Sequence, residues 1–420
     1  DAIIASKELD LILTGKNCGL DEKAPMCGVP YHAVQTYIAK LVANGHKVAI
    51  CEQLTQPQPG KNVMLERDVV RVVTPGTIIE EEMLEGQKNN YLLSVYKHNE
   101  KLGVSYVDVS TGEFFVTTFG KKNQENEISD LVARISPSEV IGNEGSLQFY
   151  NSLQIMKISG VKKLNKYYDW AYSKKNAQER LTEQFGENYD SVYDLGDKEE
   201  IVCSAGALLE YLKETQKKSL SNINKVNFVR NSNYMTIDIN TRRNLEIVES
   251  NKERKKYGSI LWVLDKTKTS MGARALRRMV DEPLQNSKSI NERLDGVEEL
   301  VKKIIIRDRL GEILNNVYDI ERLASKVAYG NVNPKDMLTL GFSLKCVPLL
   351  KKELESVQSK LLVDIRERLL DVEDVSSLIE GAIDKDAGAA MKSGGYIREG
   401  FNRELDEYRS ARKDGHTWIK

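Results

Sequence analysis

The sequence predicts a multidomain protein in which mixed α/β domains are followed by an all-α domain. Its 420 residues are enough for about three domains on the usual scale of domain sizes. Strand-type runs alternate with helical runs up to about residue 228, and apolar residues recur at helical spacing beyond it. Alternating strands and helices indicate α/β layers, whereas successive helices indicate a helical domain.

Residues 1–77 predict a small mixed α/β domain. Pro30 can open a helix, and the Asn44-Gly45 pair can end it. Two strands follow, at 46–53 and 68–77, and the Pro75-Gly76 turn closes the second. We expect residues 78–88 to be a linker.

Residues 89–228 predict a second α/β domain. The segment 91–119 is rich in Val, Phe, Tyr and Thr and is broken by a Ser-Thr-Gly-Glu turn, which predicts a strand meander. A helix at 127–135 and a strand at 139–143 come next, and a clear helix spans 201–216.

Residues 229–400 predict a helical domain, and residues 401–420 predict a charged helix. Ser270 is a plausible N-cap, Pro283 stops the helix that it starts, and Ser289 has the capping-box spacing to Glu292. Apolar side chains at three- and four-residue spacing predict buried stripes on the two helices. They are Ala273, Leu276, Met279 and Val280 on the first, and Leu294, Val297, Leu300 and Val301 on the second.

Three arginines fall mainly outside the first stripe, at Arg274, Arg277 and Arg278. Two interpretations of this segment follow. It is a helical hub that packs other elements, because periodic apolar positions are normally core. Alternatively, its basic face lies on nucleic acid. Lys and Arg number 61 and Asp and Glu number 62, so any contact with nucleic acid must come from local patches.

The cysteines are scattered and odd in number, which argues against a disulfide framework. Cys18 and Cys27 with His32 fit no standard zinc spacing, so we interpret the thiols as structural. The sequence carries neither a signal peptide nor a long apolar run. We therefore expect a reduced cytoplasmic location and no membrane contact.

Several sequence words resemble one family. G-V-P-Y-H-A, V-A-I-C-E-Q and V-V-R-V-V-T-P-G-T stand in this order between residues 28 and 77. The run V-L-D-x-T-x-T-x-M-G-x-R-x-L-R-R follows from residue 263, then P-L, then I-x-x-R-L-D-x-V. Together they resemble the MutS family of DNA mismatch-recognition proteins, and the resemblance extends over the whole chain.

The resemblance implies a role for each predicted domain. Residues 1–77 would be the mismatch-binding domain, 89–228 an RNase H-like connector, 229–400 the core, and 401–420 a lever helix leading toward the DNA clamp. The sequence starts without Met, so we expect a fragment of a longer protein, with its N-terminus, most of the clamp and the ATPase domain missing.

The resemblance also implies where DNA is contacted. The family reads mismatches with a Phe-x-Glu motif whose position lies upstream of Asp1. The implied supporting surface near DNA comprises Thr14, Lys16, Pro25 and Met26, and Lys16 is the best candidate for a phosphate contact. The arginines of the 270s helix are the remaining candidates.

No G-x-x-x-x-G-K-[ST] phosphate loop occurs in the sequence, so we expect no enzymatic activity and no cofactor in this fragment. The full-length family member is an ATPase that uses ATP and Mg. The resemblance further implies mismatched double-stranded DNA as the ligand, a homodimer in the full-length protein, and downstream mismatch repair proteins that bind through the connector.

Two alternatives come from other functional classes. Asp108 lies on a strand of the meander, where RNase H-type nucleases place a metal ligand, and Asp130 and Glu139 could supply further carboxylates for two metal ions. No spacing pattern ties these carboxylates to Asp108, so we favour a structural aspartate. The second alternative is a helical scaffold without DNA affinity.

Overall fold

The computed structural model describes residues 1–19, 22–55, 65–157, 161–230, 234–388 and 394–418. It is a mixed α/β protein with many helices, as the sequence predicts. It divides into two compact units. The N-terminal unit holds residues 1–231 and 237–245, and the helical unit holds residues 232–236 and 246–420.

The first part of the N-terminal unit combines two helices with two antiparallel ribbons. These elements are α1 (Ala2–Leu9), β1 (Thr14–Lys16), β2 (Ala24–Met26), α2 (Val34–Ala43), β3 (Val48–Gln53) and β4 (Arg67–Val73). Helix α2 packs on the β3–β4 ribbon, and Ile38, Val42 and Val73 form the core between them. The predicted helix after Pro30 and the two strands that follow it are confirmed.

The second part of the N-terminal unit is built on one sheet. Its strands are β5 (Tyr91–His98), β6 (Lys101–Asp108), β7 (Glu113–Phe119), β8 (Glu139–Gly142), β9 (Leu164–Lys166) and β10 (Val226–Phe228). Strands β5, β6 and β7 form the predicted antiparallel meander. The sheet order is β10-β7-β6-β5-β8-β9, with β8 parallel to β5, β9 parallel to β8, and β10 parallel to β7.

Helices cover both faces of this sheet. They are α3 (Gln124–Ile135), α4 (Glu144–Ser152), α5 (Lys174–Phe185), α6 (Tyr189–Val192), α7 (Glu199–Gln216) and α8 (Ile239–Asn244). Helices α3 and α4 bury Ile128 and Tyr150 against Leu93 of β5. Helix α7 lies on the opposite face, where the Ser204 hydroxyl donates to the carbonyl of Ser94 at 2.9 Å. Alternation of side chains along the strands separates the two layers.

The helical unit contains the remaining helices. They are α9 (Ile260–Leu264), α10 (Ser270–Asp281), α11 (Ser287–Lys302), α12 (Ile304–Leu314), α13 (Ile320–Ala328), α14 (Pro334–Glu353), α15 (Lys360–Arg368), α16 (Glu373–Ala382) and α17 (Arg403–Trp418). Leu323, Leu340 and Ile379 bring α13, α14 and α16 together. Among the described helices, none is both long enough and apolar enough to cross a membrane.

Both predicted N-caps of the hub are wrong by a few residues. Helix α10 is capped by Thr269, whose hydroxyl accepts from the amide of Gly272 at 3.0 Å, and Ser270 is its first residue. Helix α11 is capped by Asn286, whose side chain accepts from the amide of Ser289 at 3.1 Å. A residue that can cap a helix stands before each predicted one, because Thr and Asn also accept from the first amides of a helix.

The predicted apolar stripes of the hub are only partly buried. Ala273 is buried, but Met279 is 46% exposed, and Leu294, Val297 and Val301 are each more than half exposed. The apolar residues do recur at helical spacing. The prediction that these stripes are buried is wrong for most of the positions named here. The buried side of α10 carries Arg274 instead.

Helices α5 and α7 approach closely at a glycine, which gives the first prediction. A Cβ atom at Gly206 would lie 2.3 Å from the Cα of Ala177, so the backbones must move apart. We expect Gly206→Ala to destabilise the N-terminal unit by roughly 1–3 kcal/mol, the usual cost of overpacking. Native-state hydrogen exchange of α7 amides measures this change.

Gly145→Ala is the matched control, because its Cβ would have no neighbour closer than 3.8 Å. Alanine is favoured over glycine inside helices by up to about 1 kcal/mol, so the control should be neutral or stabilising. Equal effects at the two glycines would contradict the close approach of α5 and α7.

Candidate nucleic-acid interface

The four N-terminal candidates lie together on one exposed hairpin, formed by β1 and β2. Thr14 pairs with Met26, and Lys16 pairs with Ala24. The Thr14 hydroxyl donates to the carbonyl of Met26 at 2.9 Å, which ties the two strands together. Thr14, Lys16 and Pro25 are exposed, and Met26 is 42% exposed. An exposed ribbon with polar, basic and apolar side chains is able to contact a nucleic acid backbone.

The structure adds Lys23 to this hairpin. Lys23 immediately precedes Ala24, the strand partner of Lys16, so the two lysines lie at the same end of the ribbon. A Cβ atom on Gly15 would lie 2.9 Å from the Cβ of Lys23, which shows that the Lys23 stem runs along the glycine backbone. Sequence reasoning missed Lys23 because the antiparallel register of two three-residue strands carries almost no periodic signal.

Arg274 is not available to DNA, and this corrects the sequence-based expectation. It is 3% exposed, and its guanidinium donates to both carboxylate oxygens of Asp319 at 2.6 and 2.8 Å. It also donates to Glu321 at 2.6 Å. Burial lowers the pKa of Arg274, but the hydrogen bonds to Asp319 and Glu321 raise it by more, so the pKa lies above its ordinary value. The positive charge of Arg274 is therefore paired with carboxylates inside the helical unit.

The other two arginines of α10 also interact with residues of the protein rather than standing free on its surface. The Arg277 side chain is 15% exposed, with Glu249 at 3.7 Å and Asp281 at 4.0 Å. Arg278 is half-buried and has an interaction partner of its own. The helix therefore does not offer a row of exposed arginines, and the hairpin is the better candidate interface.

A Phe-x-Glu triplet does occur in the chain, at Phe185–Glu187. The triplet lies at the end of α5, in the second part of the N-terminal unit, and does not precede the first domain. Phe185 packs edge-on against Phe114 at 6.0 Å and against Tyr193 at 5.6 Å between ring centroids. Its ring is therefore part of the local packing, and we do not assign it to base stacking.

Asp108 is a structural residue that is fully buried. Its carboxylate accepts hydrogen bonds from the Asn89 side chain at 2.8 Å and from the Asn90 amide at 3.1 Å. The Ser110 amide and hydroxyl donate at 3.0 and 2.6 Å. These donors satisfy the carboxylate and fix the turn after β6, so little lone-pair capacity is left for a metal ion.

The carboxylates of the nuclease alternative do not converge. Asp108 pairs with Tyr91, whereas Glu139 pairs with Leu92. Because consecutive residues of β5 point to opposite faces, their partners Asp108 and Glu139 also lie on opposite faces of the sheet. Asp130 accepts from the amide of Ile239 at 3.1 Å. In the described part of the chain, no group of three or more His, Cys, Asp or Glu is placed to hold a metal.

Glu139 has a different role, at the joint between the two parts of the N-terminal unit. Its side chain is 2% exposed. The carboxylate accepts from the Thr74 hydroxyl, from the Gly76 amide at 3.1 Å and from the Tyr211 hydroxyl at 2.6 Å. Lys47 lies 3.3 Å from the same carboxylate and 2.8 Å from the Tyr211 hydroxyl. This network, which we call the Glu139 joint, fixes the turn after β4 to strand β8.

The buried Arg274 pair gives the second prediction. Removing one partner of a buried ion pair costs roughly 3–5 kcal/mol, and without Arg274 the cation left beside Asp319 would be Arg322 at 3.8 Å. We expect Arg274→Ala to destabilise the helical unit by about this amount, measured by native-state hydrogen exchange of α10 and α13. Arg307→Ala is the control, because Arg307 is 49% exposed beside Asp308, and we expect it to cost less than about 1 kcal/mol.

A contrary result would restore the sequence-based assignment. If Arg274→Ala left the stability of the helical unit unchanged but weakened duplex DNA binding, the guanidinium would be a DNA contact rather than a core charge.

Residues 1–82 match the family profile described as MutS domain I, residues 90–224 match MutS domain II, and residues 240–415 match MutS domain III. The three matches follow each other in the order of the domain numbers.

Curated relatives give the same result over the whole chain. A DNA mismatch repair protein MutS from Acetivibrio thermocellus is 44% identical over 427 residues, covering 100% of this chain and 48% of the relative. A protein of the same name from Caldanaerobacter subterraneus is also 44% identical, with the same shares. One from Clostridium botulinum strain 657 is 42% identical and is covered to 44%. The chain thus spans about half the length of the curated relatives that it matches.

Matches to three successive domains of one family and whole-chain identities above 40% point to the same conclusion. The chain belongs to the MutS family, and it carries domains I, II and III of that family.

Proposed function

We propose that this chain is the mismatch-recognition half of a DNA mismatch repair protein. The observation that supports this most directly is the exposed β1–β2 hairpin with Lys16 and Lys23, within a domain that matches MutS domain I. In this proposal the hairpin contacts the DNA backbone through its lysines. Pro25 and Met26 provide an apolar surface beside them.

The proposed domain division follows the sequence boundaries. Residues 1–77 form the DNA-binding domain, and residues 78–88 link it to the connector at residues 89–228. Residues 229–400 form the core, and residues 401–420 form the lever helix. The sheet order β7-β6-β5-β8-β9, with a meander followed by two parallel strands, supports an RNase H-like connector. The carboxylate of Asp108 already accepts hydrogen bonds from Asn89 and Ser110, which supports a connector without nuclease activity.

The proposal assigns ATP and Mg to the full-length protein and not to these residues. The 420 residues contain no phosphate loop, and the described part of the chain has no carboxylate cluster suited to a metal. ATP binding, the homodimer and the contact of the connector with downstream repair proteins are proposed for the full-length protein by family membership.

We predict that the 420-residue chain binds duplex DNA weakly and without preference for a mismatch. A wedge that unstacks a base step costs a few kcal/mol, and a mismatch lowers that cost. Without an N-terminal Phe-x-Glu wedge, phosphate contact remains, which is indifferent to sequence and falls steeply with salt. Competition between a G·T heteroduplex and its matched homoduplex should give a ratio near one. A tenfold preference, about 1.4 kcal/mol, would show mismatch reading by another part of the chain.

The hairpin itself is tested by Lys16→Glu combined with Lys23→Glu. We expect the slope of log affinity against log salt concentration to become shallower by about one for each lysine that contacts a phosphate. Lys121→Glu with Lys122→Glu changes the same charge at exposed positions of the same unit, and it should have little effect. Equal losses from both pairs would contradict a DNA interface at the hairpin.

We also predict that the 420-residue chain does not hydrolyse ATP, because the amides, lysine and hydroxyl of a phosphate loop are absent from its sequence. A steady-state phosphate-release assay should match a protein-free control. Turnover that co-purifies with the chain and is removed by a point mutation in it would contradict this prediction.

A further inference from the structure

The helical unit contains a pocket of about 400 Å³ between α14 and α16. Its apolar wall is formed by Leu338 and Phe342 of α14, Ile379 of α16 and Tyr318. The two helices approach closely at Gly341, where a Cβ atom would lie 3.0 Å from the Ile379 side chain. The volume of the pocket lies within the range of small-molecule sites, roughly 300–1,000 Å³.

Two aromatic rings stand at the edge of this pocket. Tyr318 is 57% exposed and Phe342 is 52% exposed. Their ring centroids are 6.5 Å apart and their planes are inclined by 66°, so the rings meet edge to face rather than stacking on each other. Because both residues are more than half exposed, a flat ring of a ligand can reach either side chain and stack on it.

The charged side chains that line the pocket are mostly basic. Lys335, Lys345 and Lys385 are lysines at its wall, and Glu380 is the one acidic residue. Lys345 forms an ion pair with Glu380. Within the described part of the chain, neither Lys335 nor Lys385 lies within ion-pair distance of a carboxylate. The hydrogen bond from Lys345 and, to a smaller extent, the charge of Lys385 lower the pKa of Glu380. Two exposed ammonium groups beside an apolar cavity favour an anionic ligand.

We propose that this pocket binds a single unstacked nucleotide, with its base stacked on Phe342 or Tyr318 and its phosphate at Lys335 and Lys385. Base stacking on an aromatic side chain combined with lysine contact to phosphate is the usual way in which proteins hold unpaired nucleotides. An amphipathic peptide helix is the poorer match, because it needs a row of anchor sites along a groove, whereas this site is a single pocket of about 400 Å³.

The same chemistry could come from a free mononucleotide or from one nucleotide of a single strand. A free nucleotide would place a terminal phosphate, with up to two negative charges, at the lysines. A strand would place a phosphodiester there, and its neighbouring phosphates would extend beyond the pocket. The site is distinct from the β1–β2 hairpin, which contacts duplex DNA in the proposed function, so each can fail without the other.

The test is equilibrium dialysis of the 420-residue chain with radiolabelled dAMP and, separately, with a four-nucleotide single strand of deoxyadenosine. We expect saturable binding of at least one of the two at low salt, with one site per chain. The Lys335→Glu, Lys385→Glu double variant should weaken it at least about tenfold, because two attractive charges become repulsive. Phe342→Ala should weaken it at least about fivefold, and Phe342→Trp, which keeps a stacking face, should retain it.

Lys351→Glu with Lys352→Glu is the matched control, since both lysines are exposed in the last turn of the same helix and outside the pocket. It should change affinity less than about twofold. Tighter binding of dAMP identifies a free nucleotide as the ligand, and tighter binding of the strand identifies single-stranded DNA.

Three results would overturn the proposal. In the first, neither dAMP nor the four-nucleotide strand binds at millimolar concentration. In the second, the pocket variants and the control variant bind the probe with the same affinity. In the third, inorganic phosphate displaces dAMP as effectively as unlabelled dAMP does. The last result would mean that the ring is not recognised.

Discussion

The N-terminal unit depends on a buried carboxylate whose charge must be balanced. An unpaired charge in a protein interior costs several kcal/mol, and Glu139 avoids this cost by accepting from the Thr74 hydroxyl, the Gly76 amide and the Tyr211 hydroxyl, with Lys47 beside them. The Glu139 joint thereby fixes β4 to the central sheet. Helix α2 packs on the β3–β4 ribbon, α1 packs on α2, and the hairpin packs on α1, so the joint also fixes the base on which the hairpin stands.

The same rule separates structural charges from functional ones elsewhere. Arg274 satisfies Asp319 and Glu321 in the helical unit, and Asp108 is satisfied by amides and a hydroxyl at the end of β6. Charges of this kind hold the fold, and replacing them should change stability before it changes binding. Some lysines are exposed and do not hold the fold in this way. Examples are Lys16 on the β1–β2 ribbon and Lys335 at the edge of the pocket. In the two proposals, these lysines bind the phosphates of the ligand.

The sequence predicted those helices and strands that depend on residues close together in the chain. The helix after Pro30, the strand meander and the long helix at 201–216 were correct, because each rests on periodicity and turn residues within one segment. The predicted role of Arg274 was wrong, because its partner Asp319 lies 45 residues away and no local sequence pattern indicates the pair. Lys23 was missed because the register of the hairpin decides its place. The nucleotide pocket depends on α14 meeting α16, a tertiary contact that periodicity does not encode.

The proposed function places the contact between this chain and duplex DNA at the β1–β2 hairpin and not at helix α10. Hydrogen–deuterium exchange of the 420-residue chain, with and without saturating duplex at low salt, tests it most directly. We predict that DNA slows exchange in the segment around Thr14–Lys16 and Ala24–Met26 and leaves Ser270–Asp281 unchanged. Protection of Ser270–Asp281 with no change in the hairpin would contradict the claim and return the arginines of α10 to the interface.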